Sequence, residues 1–414
     1  MKKEKEGGAR HSVMALGGAE HLVAMTTPQG RGAFHEQAVE AMTALQEALE
    51  TAGPGRMTVL AQTVFLREAG DQAEFERLLR EFYNVKLPVM SFVLQPPCSG
   101  AALSTEVWAV GGDEVRVEDF GSALAASHGA LRWVWCAGAA KPYERGTGDA
   151  YGQTLSVFEQ MRFSLEAAGS GFERVVRTWF YLGGINQKQP EADNGRYEQL
   201  NRARSDFYSG IRFHPSSPAA RGSKRVFYPS STGIGMAGSG LAAGCLALEF
   251  SSPGGKAPFT LLPLENPLQT PAYDYQCGCA SDSSPEFSRA MALLEKAKNS
   301  VMIWISGTAS IVRSESRHPD DAEKQTEQTI GNIERLIAKE NFSLHGVEGA
   351  GATLRDLAAV RVYIKRPEDF YKCRTVCEKK FSSGVPIIYT VADICRPELL
   401  VEIEAMAFSS RPPA

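Results

Sequence analysis

The stretch that decides the fold lies near the carboxyl end of the chain and reads VPIIYTVADICRPELLVEIEAMAF over residues 385–408. Apolar residues occupy every second position from Val401 to Ala405, and Glu402 and Glu404 stand between them. A period of two is typical of a strand that buries one face, so the two carboxylates share the other face. A solvated face and a face that belongs to a site fit this pattern equally well.

The composition indicates an ordinary globular chain. Its 414 residues, 43% of them hydrophobic, suffice for two to three domains, and a net charge of −4 gives no basic surface for nucleic acid or anionic lipid. The charged start and the absence of a long apolar run predict a cytoplasmic protein with no membrane segment. The eight cysteines are too sparse for a disulfide scaffold and lack zinc spacing, so we expect reduced thiols and no metal.

One order of elements occurs three times along the chain. Each copy has an entry strand, an amphipathic helix, an apolar strand, a second helix and two further strands, and a glutamine precedes the first helix face at Gln37, Gln153 and Gln328. Such self-similarity predicts three homologous domains. The predicted divisions are a disordered extension over 1–19, a degenerate first domain over 20–113, a second domain over 114–252, a connector over 253–300 and a third domain over 301–414 that carries the active site.

The copies also align at the closing strand, where Glu106, Glu249 and Glu402 take the same place. Only the third copy has a cysteine, Cys395, seven residues before this glutamate, together with an arginine, Arg374, on its second helix. These differences predict that the third copy is the one with a functional site.

The repeated unit resembles the RidA (YjgF/UK114) family. A second resemblance is carried by Arg177–Gly183, Tyr197–Tyr208, Pro229–Gly235, Phe287–Met291, Ser306–Val312, Arg361–Asp369 and residues 385–408. Through these segments the whole chain from about residue 20 is similar to the chorismatases. This resemblance implies an α+β fold of three tandem RidA-like domains, each a mixed β-sheet covered by two helices, arranged as an internal pseudo-trimer with clefts between domains.

The resemblance implies that chorismate is converted to pyruvate and a hydroxybenzoate without a cofactor. Cleavage of the enolpyruvyl ether begins with protonation of its methylene carbon, and a carboxylic acid in a water-poor cleft suits that step. We expect Glu402 to be this acid, with Glu404 as the second candidate.

The two carboxylates of chorismate call for guanidinium groups, which pair with carboxylates in a bidentate manner. The resemblance places such a group on the helix that carries Arg374. Arg212 and Arg221 lie in a Pro/Ser-rich loop of the second domain and are further candidates, although an arginine in such a loop is as often a surface residue.

The resemblance also implies which product forms. A cysteine at the position of Cys395 accompanies hydroxybenzoate formation in the family, whereas spacing alone indicates a buried thiol that packs on a strand. Ala309, just past the Gly307 turn, suggests the subtype that gives both 3- and 4-hydroxybenzoate. Tyr389 and Tyr273 are expected to donate hydroxyl hydrogen bonds into the cleft, unless they are half-buried structural tyrosines.

Two other functions remain open at this point. RidA-type hydrolysis of imines is one, but the third copy has Ile388 or Tyr389 where that family carries an arginine. A non-catalytic ligand-binding protein on the same domains is the other. The chain is expected to act as a monomer with an internal pseudo-trimer or as a homo-oligomer.

Overall fold

The structure is a computed structural model that describes residues 1–414 except 7, 53–56, 85, 141–148, 189–194, 215–226, 252–257, 276–283 and 411–414. Its strands form three six-stranded sheets, together with a two-stranded ribbon. Each large sheet and the helices that pack on it make up one domain.

The elements follow one another in the same order in each domain. The first domain contains β1 (Lys2–Glu6), β2 (Ala9–Leu16), β3 (Ala19–Thr26), α1 (Phe34–Thr51), β4 (Thr58–Leu66), α2 (Gln72–Phe82), β5 (Val89–Leu94) and β6 (Leu103–Gly111). The second contains β7 (Arg116–Asp119), β8 (Ala123–His128), β9 (Leu131–Ala140), α3 (Ala150–Ala167), β10 (Val175–Gly183), α4 (Arg196–Tyr208), β11 (Ser230–Met236) and β12 (Leu241–Phe250). The third contains β13 (Phe259–Leu264), β14 (Ala290–Glu295), β15 (Ser300–Ala309), β16 (Ile311–Val312), β17 (Glu315–Ser316), α5 (Ala322–Ile337), α6 (Lys339–Leu344), β18 (Leu357–Ile364), α7 (Phe370–Lys380), β19 (Ile387–Val391) and β20 (Val401–Ser410).

The three large sheets have one topology. The strand orders are β1-β2-β3-β6-β4-β5, β7-β8-β9-β12-β10-β11 and β13-β14-β15-β20-β18-β19. In each domain the closing strand inserts antiparallel between the entry strand and the strand that follows the first long helix, and the edge strand β5, β11 or β19 pairs in parallel. The predicted α+β fold of three repeated units is confirmed.

Two predicted boundaries are wrong. Residues 1–19 were expected to be disordered, but they contain β1 and β2, which complete the first sheet. Residues 253–300 were expected to be a connector, but they contain β13 and β14, the corresponding hairpin of the third sheet. Both hairpins were missed because the repeat was aligned from its entry strand, whereas the unit begins two strands earlier.

Apolar periodicity explains why the helices cover the sheets. In α5, Ile330, Ile333 and Ile337 recur at helical spacing and are buried against the third sheet, which has its own apolar core. The side chain of Asp321 caps this helix by accepting a hydrogen bond from the backbone N–H of Lys324.

The domains form a closed ring. Strand β5 of the first domain packs on β9 and β12 of the second, β11 of the second packs on β14 and β15 of the third, and β19 of the third packs on β3 of the first. Hydrogen bonds join the ends of these edge strands, because Gln95 donates to the carbonyl oxygen of Gly235 at 2.5 Å and pairs with the hydroxyl of Thr390 at 3.2 Å. Each domain therefore contributes one edge strand to the seam that it shares with the next domain.

A pair of buried histidines lies at the seam between the first two domains. The Nε2 atoms of His21 and His128 are 3.2 Å apart, and the indoles of Trp108 and Trp133 each donate to one of the two rings. With the Nδ1–H of His128 donating to the carbonyl oxygen of Gly17 at 3.1 Å, its Nε2 atom is the acceptor for the indole of Trp133. Burial lowers the pKa of both histidines, so the seam contains neutral imidazoles.

Across the described ranges, no helix combines the length and the apolar character that crossing a bilayer requires.

Candidate active site between the second and third domains

Strand β20 turns both of its glutamates toward the second domain. Glu402 and Glu404 are each 4% exposed, and they lie on the same face because strand side chains alternate. The hydroxyl of Thr232, on β11 of the second domain, is hydrogen-bonded to Glu404. The carboxylate face predicted from the sequence is therefore buried in a cleft between domains and is not a solvated strand face.

A bulge in β15 makes room for Glu402. The pairing of β15 with β20 shifts between Ile305 and Thr308, and the backbone N–H of Gly307 leaves the ladder to donate to Thr232 at 3.0 Å. A Cβ atom at Gly307 would lie 2.1 Å from the Oε1 atom of Glu402, so the carboxyl group can keep this position only beside a glycine.

The oxygens of Glu404 are occupied by an ionic network. Arg177 of the second domain donates to it at 2.7 Å and Arg361 of the third domain at 2.8 Å, in addition to the hydroxyl of Thr232. Arg361 also forms a bidentate pair with Glu106 of the first domain, at 2.8 and 3.0 Å. The network joins all three domains and commits Glu404 to a structural role, which leaves Glu402 as the candidate acid.

The surroundings of Glu402 favour the protonated form of its carboxyl group. Burial raises the pKa of its carboxyl group to about 8, and the neighbouring charge of Glu404 adds to this rise. The cations of Arg289 and Arg177 oppose the rise but do not outweigh it. At neutral pH the carboxyl group is therefore mostly protonated and can act as a general acid.

A thiol and a phenol lie close to Glu402. Burial, followed by the charge of Glu402, raises the pKa of the half-buried Cys395 thiol to about 12. Burial also raises the pKa of the phenol of Tyr197 on α4, with Cys395 and Glu402 among the neighbouring charges that contribute. Both groups stay protonated at neutral pH and can serve only as neutral donors.

Two buried guanidinium groups face the same region. Arg204 on α4 and Arg289, which immediately precedes β14, are 2% and 4% exposed. A terminal nitrogen of Arg204 donates to the side-chain oxygen of Asn201 at 2.5 Å, and one of Arg289 donates to the carbonyl oxygen of Thr270 at 3.1 Å. Neither Nε atom has a hydrogen-bond partner among the described residues. Both guanidinium groups lie over the ring of Phe287, at 5.7 and 5.3 Å. Buried cations with free donors favour an anionic ligand that bears more than one oxygen.

Comparisons with known proteins agree with this arrangement. The chain is 32% identical over 279 residues to a 3-hydroxybenzoate synthase of Streptomyces hygroscopicus, covering 66% of this chain and 73% of that relative. It is 31% identical over 303 residues to a chorismatase of the same species, covering 73% of this chain and 78% of the relative.

The chain belongs to the chorismatase family. A crystal structure of a chorismatase has the same fold, with a TM-score of 0.65, 22% identity and coverage of 96% of this chain and 99% of that chain. The family model of Endoribonuclease L-PSP matches residues 283–409, which form most of the third domain.

Four of the predicted site residues come together in this chorismatase-family chain. Glu402, Cys395 and Gly307 surround one point of the cleft, and Ala309 pairs directly with Glu402 across the two strands. The structure does not test what each of them does, so their roles remain predictions.

Arg374 and Tyr389 lie in a different cleft, between the third domain and the first. Together with Arg10, Thr27 and Phe370 they line a cavity of about 610 Å³, which we call the second cleft. Arg374 is 48% exposed and pairs with Glu378 on its own helix at 2.7 Å. The prediction placed Arg374 beside Glu402 because both belong to the third domain. The ring instead joins the Glu402 side of that domain to the second domain and the α7 side to the first.

Two of the three remaining predicted residues lie within the described ranges. The ring of Tyr273 is half-buried, with its centroid 5.8 Å from that of Tyr228. Arg212 is exposed. Arg221 falls outside the residues that the structure describes.

Strand register corrects the alignment of the three closing strands. The pairing of the closing strand is interrupted by a bulge in β4 of the first domain and by the equivalent bulge in β18 of the third. At the same distance past these bulges, Thr63 pairs with Glu106 and Arg361 pairs with Glu404. Glu106 is therefore the counterpart of Glu404, and Ser104 is the counterpart of Glu402.

In the second domain, Gly244 takes the place of Glu404, opposite Trp179. Glu249 lies five residues further along β12, where it pairs with Arg132. Glu402 is thus unique to the third domain, and the alignment singled it out although its counterparts were misplaced.

Sequence reasoning missed Arg204, Arg289 and Tyr197 as site residues. All three fall within the segments Tyr197–Tyr208 and Phe287–Met291 that carry the family resemblance. The signal was therefore present, but nothing in the spacing indicates that a helix of the second domain faces a strand of the third.

Proposed function

We propose that this chain cleaves chorismate to pyruvate and a hydroxybenzoate, with Glu402 as the general acid. The observation that carries the proposal is a buried carboxyl group with a raised pKa, next to two buried guanidinium groups whose Nε–H donors have no partner among the described residues. The names of the Streptomyces relatives, 3-hydroxybenzoate synthase and chorismatase, support the same reaction.

Arg204 and Arg289 are the proposed ligands of the two substrate carboxylates. Their Nε donors, which no described residue engages, match an anion with several oxygens, and Phe287 under both groups keeps water away from the ion pairs. Because the guanidinium groups stay charged and fixed, they orient the substrate without moving during the reaction.

The first chemical step is the transfer of the Glu402 proton to the methylene carbon of the enolpyruvyl ether. This leaves an oxocarbenium ion and a Glu402 carboxylate. When the bond between the ether oxygen and the ring carbon breaks, that oxygen leaves as the ketone oxygen of pyruvate. The ring cation then loses the proton on the carbon that bears the hydroxyl group, which gives 4-hydroxybenzoate.

For the 3-isomer, the neighbouring hydroxyl oxygen attacks the ring cation and forms an epoxide, and its proton passes to the Glu402 carboxylate. The epoxide is protonated again and opens at the carbon that first carried the hydroxyl group. Loss of the proton on the carbon that carried the ether then gives 3-hydroxybenzoate. For either isomer, pyruvate and hydroxybenzoate together contain the atoms of one chorismate, so no net water is consumed. We assign the return of the ring proton to the Glu402 carboxylate.

Cys395 takes part as a neutral thiol, because a pKa of about 12 rules out a thiolate base near neutral pH. We propose that it shapes the cleft around the ring and excludes water from the cation. Ala309, opposite Glu402, borders the same space, which supports the expectation of a product mixture of 3- and 4-hydroxybenzoate.

Both walls of the proposed site belong to one chain, so a monomer is sufficient for activity. The free cysteines at the described positions fit a reducing compartment, and we place the enzyme in the cytoplasm.

Incubation of the purified protein with chorismate tests the proposal. Pyruvate is followed by a lactate dehydrogenase coupled assay, and the aromatic product is identified by chromatography. Glu402→Gln is expected to abolish pyruvate release with an unchanged melting curve. Glu249→Gln, on the neighbouring closing strand, is the matched control and should retain wild-type activity. Absence of pyruvate from the wild-type protein would refute the proposal, and stabilisation by chorismate without turnover would indicate a binding protein.

A further inference from the structure

The second cleft repeats the architecture of the Glu402 cleft at the next seam of the ring. Its walls are α7 and β19 of the third domain and the β2–β3 side of the first domain. A volume of about 610 Å³ is in the range of small-molecule sites, which runs from about 300 to 1,000 Å³.

An arginine is retained at one equivalent position. Arg10 on β2 pairs with Met25 on β3, and Met25 pairs with Glu106 on β6. In the third domain, the carbonyl oxygen of Arg289 accepts a hydrogen bond from Ser306, which lies in the bulge opposite Glu404. Since Glu106 and Glu404 are counterparts, Arg10 is the counterpart of Arg289.

The acid is not retained. Ser104 stands where β20 has Glu402, and its hydroxyl is 2.7 Å from that of Thr27, which lines the second cleft. A serine hydroxyl is far too weak an acid to protonate a vinyl ether carbon. The second cleft can therefore bind an anion but lacks the group that the proposed reaction needs.

The side chains that line the second cleft indicate the class of ligand. Arg10 and Arg374 supply two guanidinium groups, and Glu378 neutralises only part of this charge through the Nε atom of Arg374. The aromatic rings of Phe370 and Tyr389 lie on the same side, with centroids 5.4 Å apart in an edge-to-face arrangement. Guanidinium groups beside aromatic rings favour a ligand that combines a carboxylate with a planar ring.

We propose that the second cleft is a binding site for an aromatic carboxylate, where the ligand is held and not transformed. The choice of hydroxybenzoate as its ligand rests on the proposed function, because hydroxybenzoate is the aromatic carboxylate that the reaction would release. One chain then binds two equivalents of hydroxybenzoate, one in each cleft.

Isothermal titration calorimetry of the purified full chain with 3-hydroxybenzoate and with 4-hydroxybenzoate tests this inference. The wild-type protein is expected to bind two equivalents, and the double variant Arg10→Met/Arg374→Met only one. Each single variant should weaken the second site by roughly 10- to 100-fold, the worth of a charge-assisted hydrogen bond. Arg335→Met, on the exposed face of α5, is the matched control and should leave both sites unchanged. Melting curves of all variants verify that the fold is intact.

Unchanged stoichiometry and affinity in the folded double variant would overturn the inference. It would also be overturned if the wild-type protein bound only one equivalent and the double variant still bound it. If the wild-type protein binds one equivalent and the double variant binds none, the result supports the second cleft as the binding site and argues against product binding beside Glu402. Pyruvate release from chorismate, measured on the same wild-type preparation, reports on the proposed reaction separately.

Discussion

Replacement of Gly307 by alanine is expected to disable the proposed acid while leaving the fold in place. The added Cβ atom would lie 2.1 Å from the Oε1 atom of Glu402 and 3.2 Å from the methyl group of Thr232. To reach an ordinary contact distance of 3.4 Å, the carboxyl oxygen must move by about 1.3 Å. The φ angle of Gly307 lies outside the left-handed range, so alanine adds no backbone strain, and the bulge itself can persist.

A displacement of this size is costly for proton transfer, since a shift of about 1 Å can reduce a rate by about 100-fold. We therefore expect kcat for pyruvate release to fall by roughly 100-fold in Gly307→Ala, whereas the free energy of unfolding falls by only about 1–3 kcal/mol, the usual cost of overpacking. The coupled pyruvate assay measures the first quantity and urea denaturation the second.

Gly331→Ala is the matched control for this prediction. Gly331 lies within α5, and a Cβ atom there would meet nothing within 4 Å. Alanine at this position should retain full activity and stabilise the protein by up to about 1 kcal/mol through its higher helix propensity. A folded Gly307→Ala protein with wild-type kcat would show that Glu402 does not act from the position described, and the proposed role would be wrong.

Three further predictions concern protons and charge. The value of kcat/KM for chorismate should be constant below pH 8 and fall tenfold per pH unit above it, because Glu402 with a pKa of about 8 must be protonated to act; a rate that rises through this range would contradict the acid role. Arg204→Lys and Arg289→Lys should each lower kcat/KM by roughly 10- to 100-fold, since an ammonium group cannot form the bidentate pair of a guanidinium group. Wild-type kcat/KM in both variants would exclude the two arginines as carboxylate ligands. Acidification below about pH 6.5 should destabilise the protein, because His21 and His128 bind protons in the unfolded chain but stay neutral in the native protein, where their pKa is lowered. The free energy of unfolding should fall by up to about 1.4 kcal/mol per pH unit for each histidine of the buried pair. Urea midpoints measured from pH 7.5 to 5 should therefore fall, and the same slope in His21→Gln would show that the pair is not the cause.

Local patterns in the sequence predicted the repeated unit well. Helical spacing in α5 and the two-residue period in β20 each depend on contacts within one domain, and both were read correctly. The paired strands β1 and β2 were missed because the charged first residues resemble a solvated tail, whereas the hairpin is fixed by pairing with β3.

The site could be predicted only in part, because it is built by two domains. Glu402 was singled out by the repeated closing strand, and Cys395 by the family resemblance; both lie in the third domain, on one strand and the loop before it. Arg204 comes from a helix almost 200 residues earlier, and its place depends on which domain follows which around the ring. The same ring order carries Arg374 away from Glu402, and no periodicity or spacing within a domain contains that information.

The two clefts also bear on how such a chain can change over time. In a trimer of identical subunits, every substitution appears in all three clefts at once, so a change that improves one cleft alters the others equally. Covalent fusion of the three copies removes this constraint, and the pair Ser104 and Glu402 shows the result: one seam has a hydroxyl group where another has an acid. A single gene can then evolve a reaction centre, a binding site and a structural contact from what began as three identical surfaces.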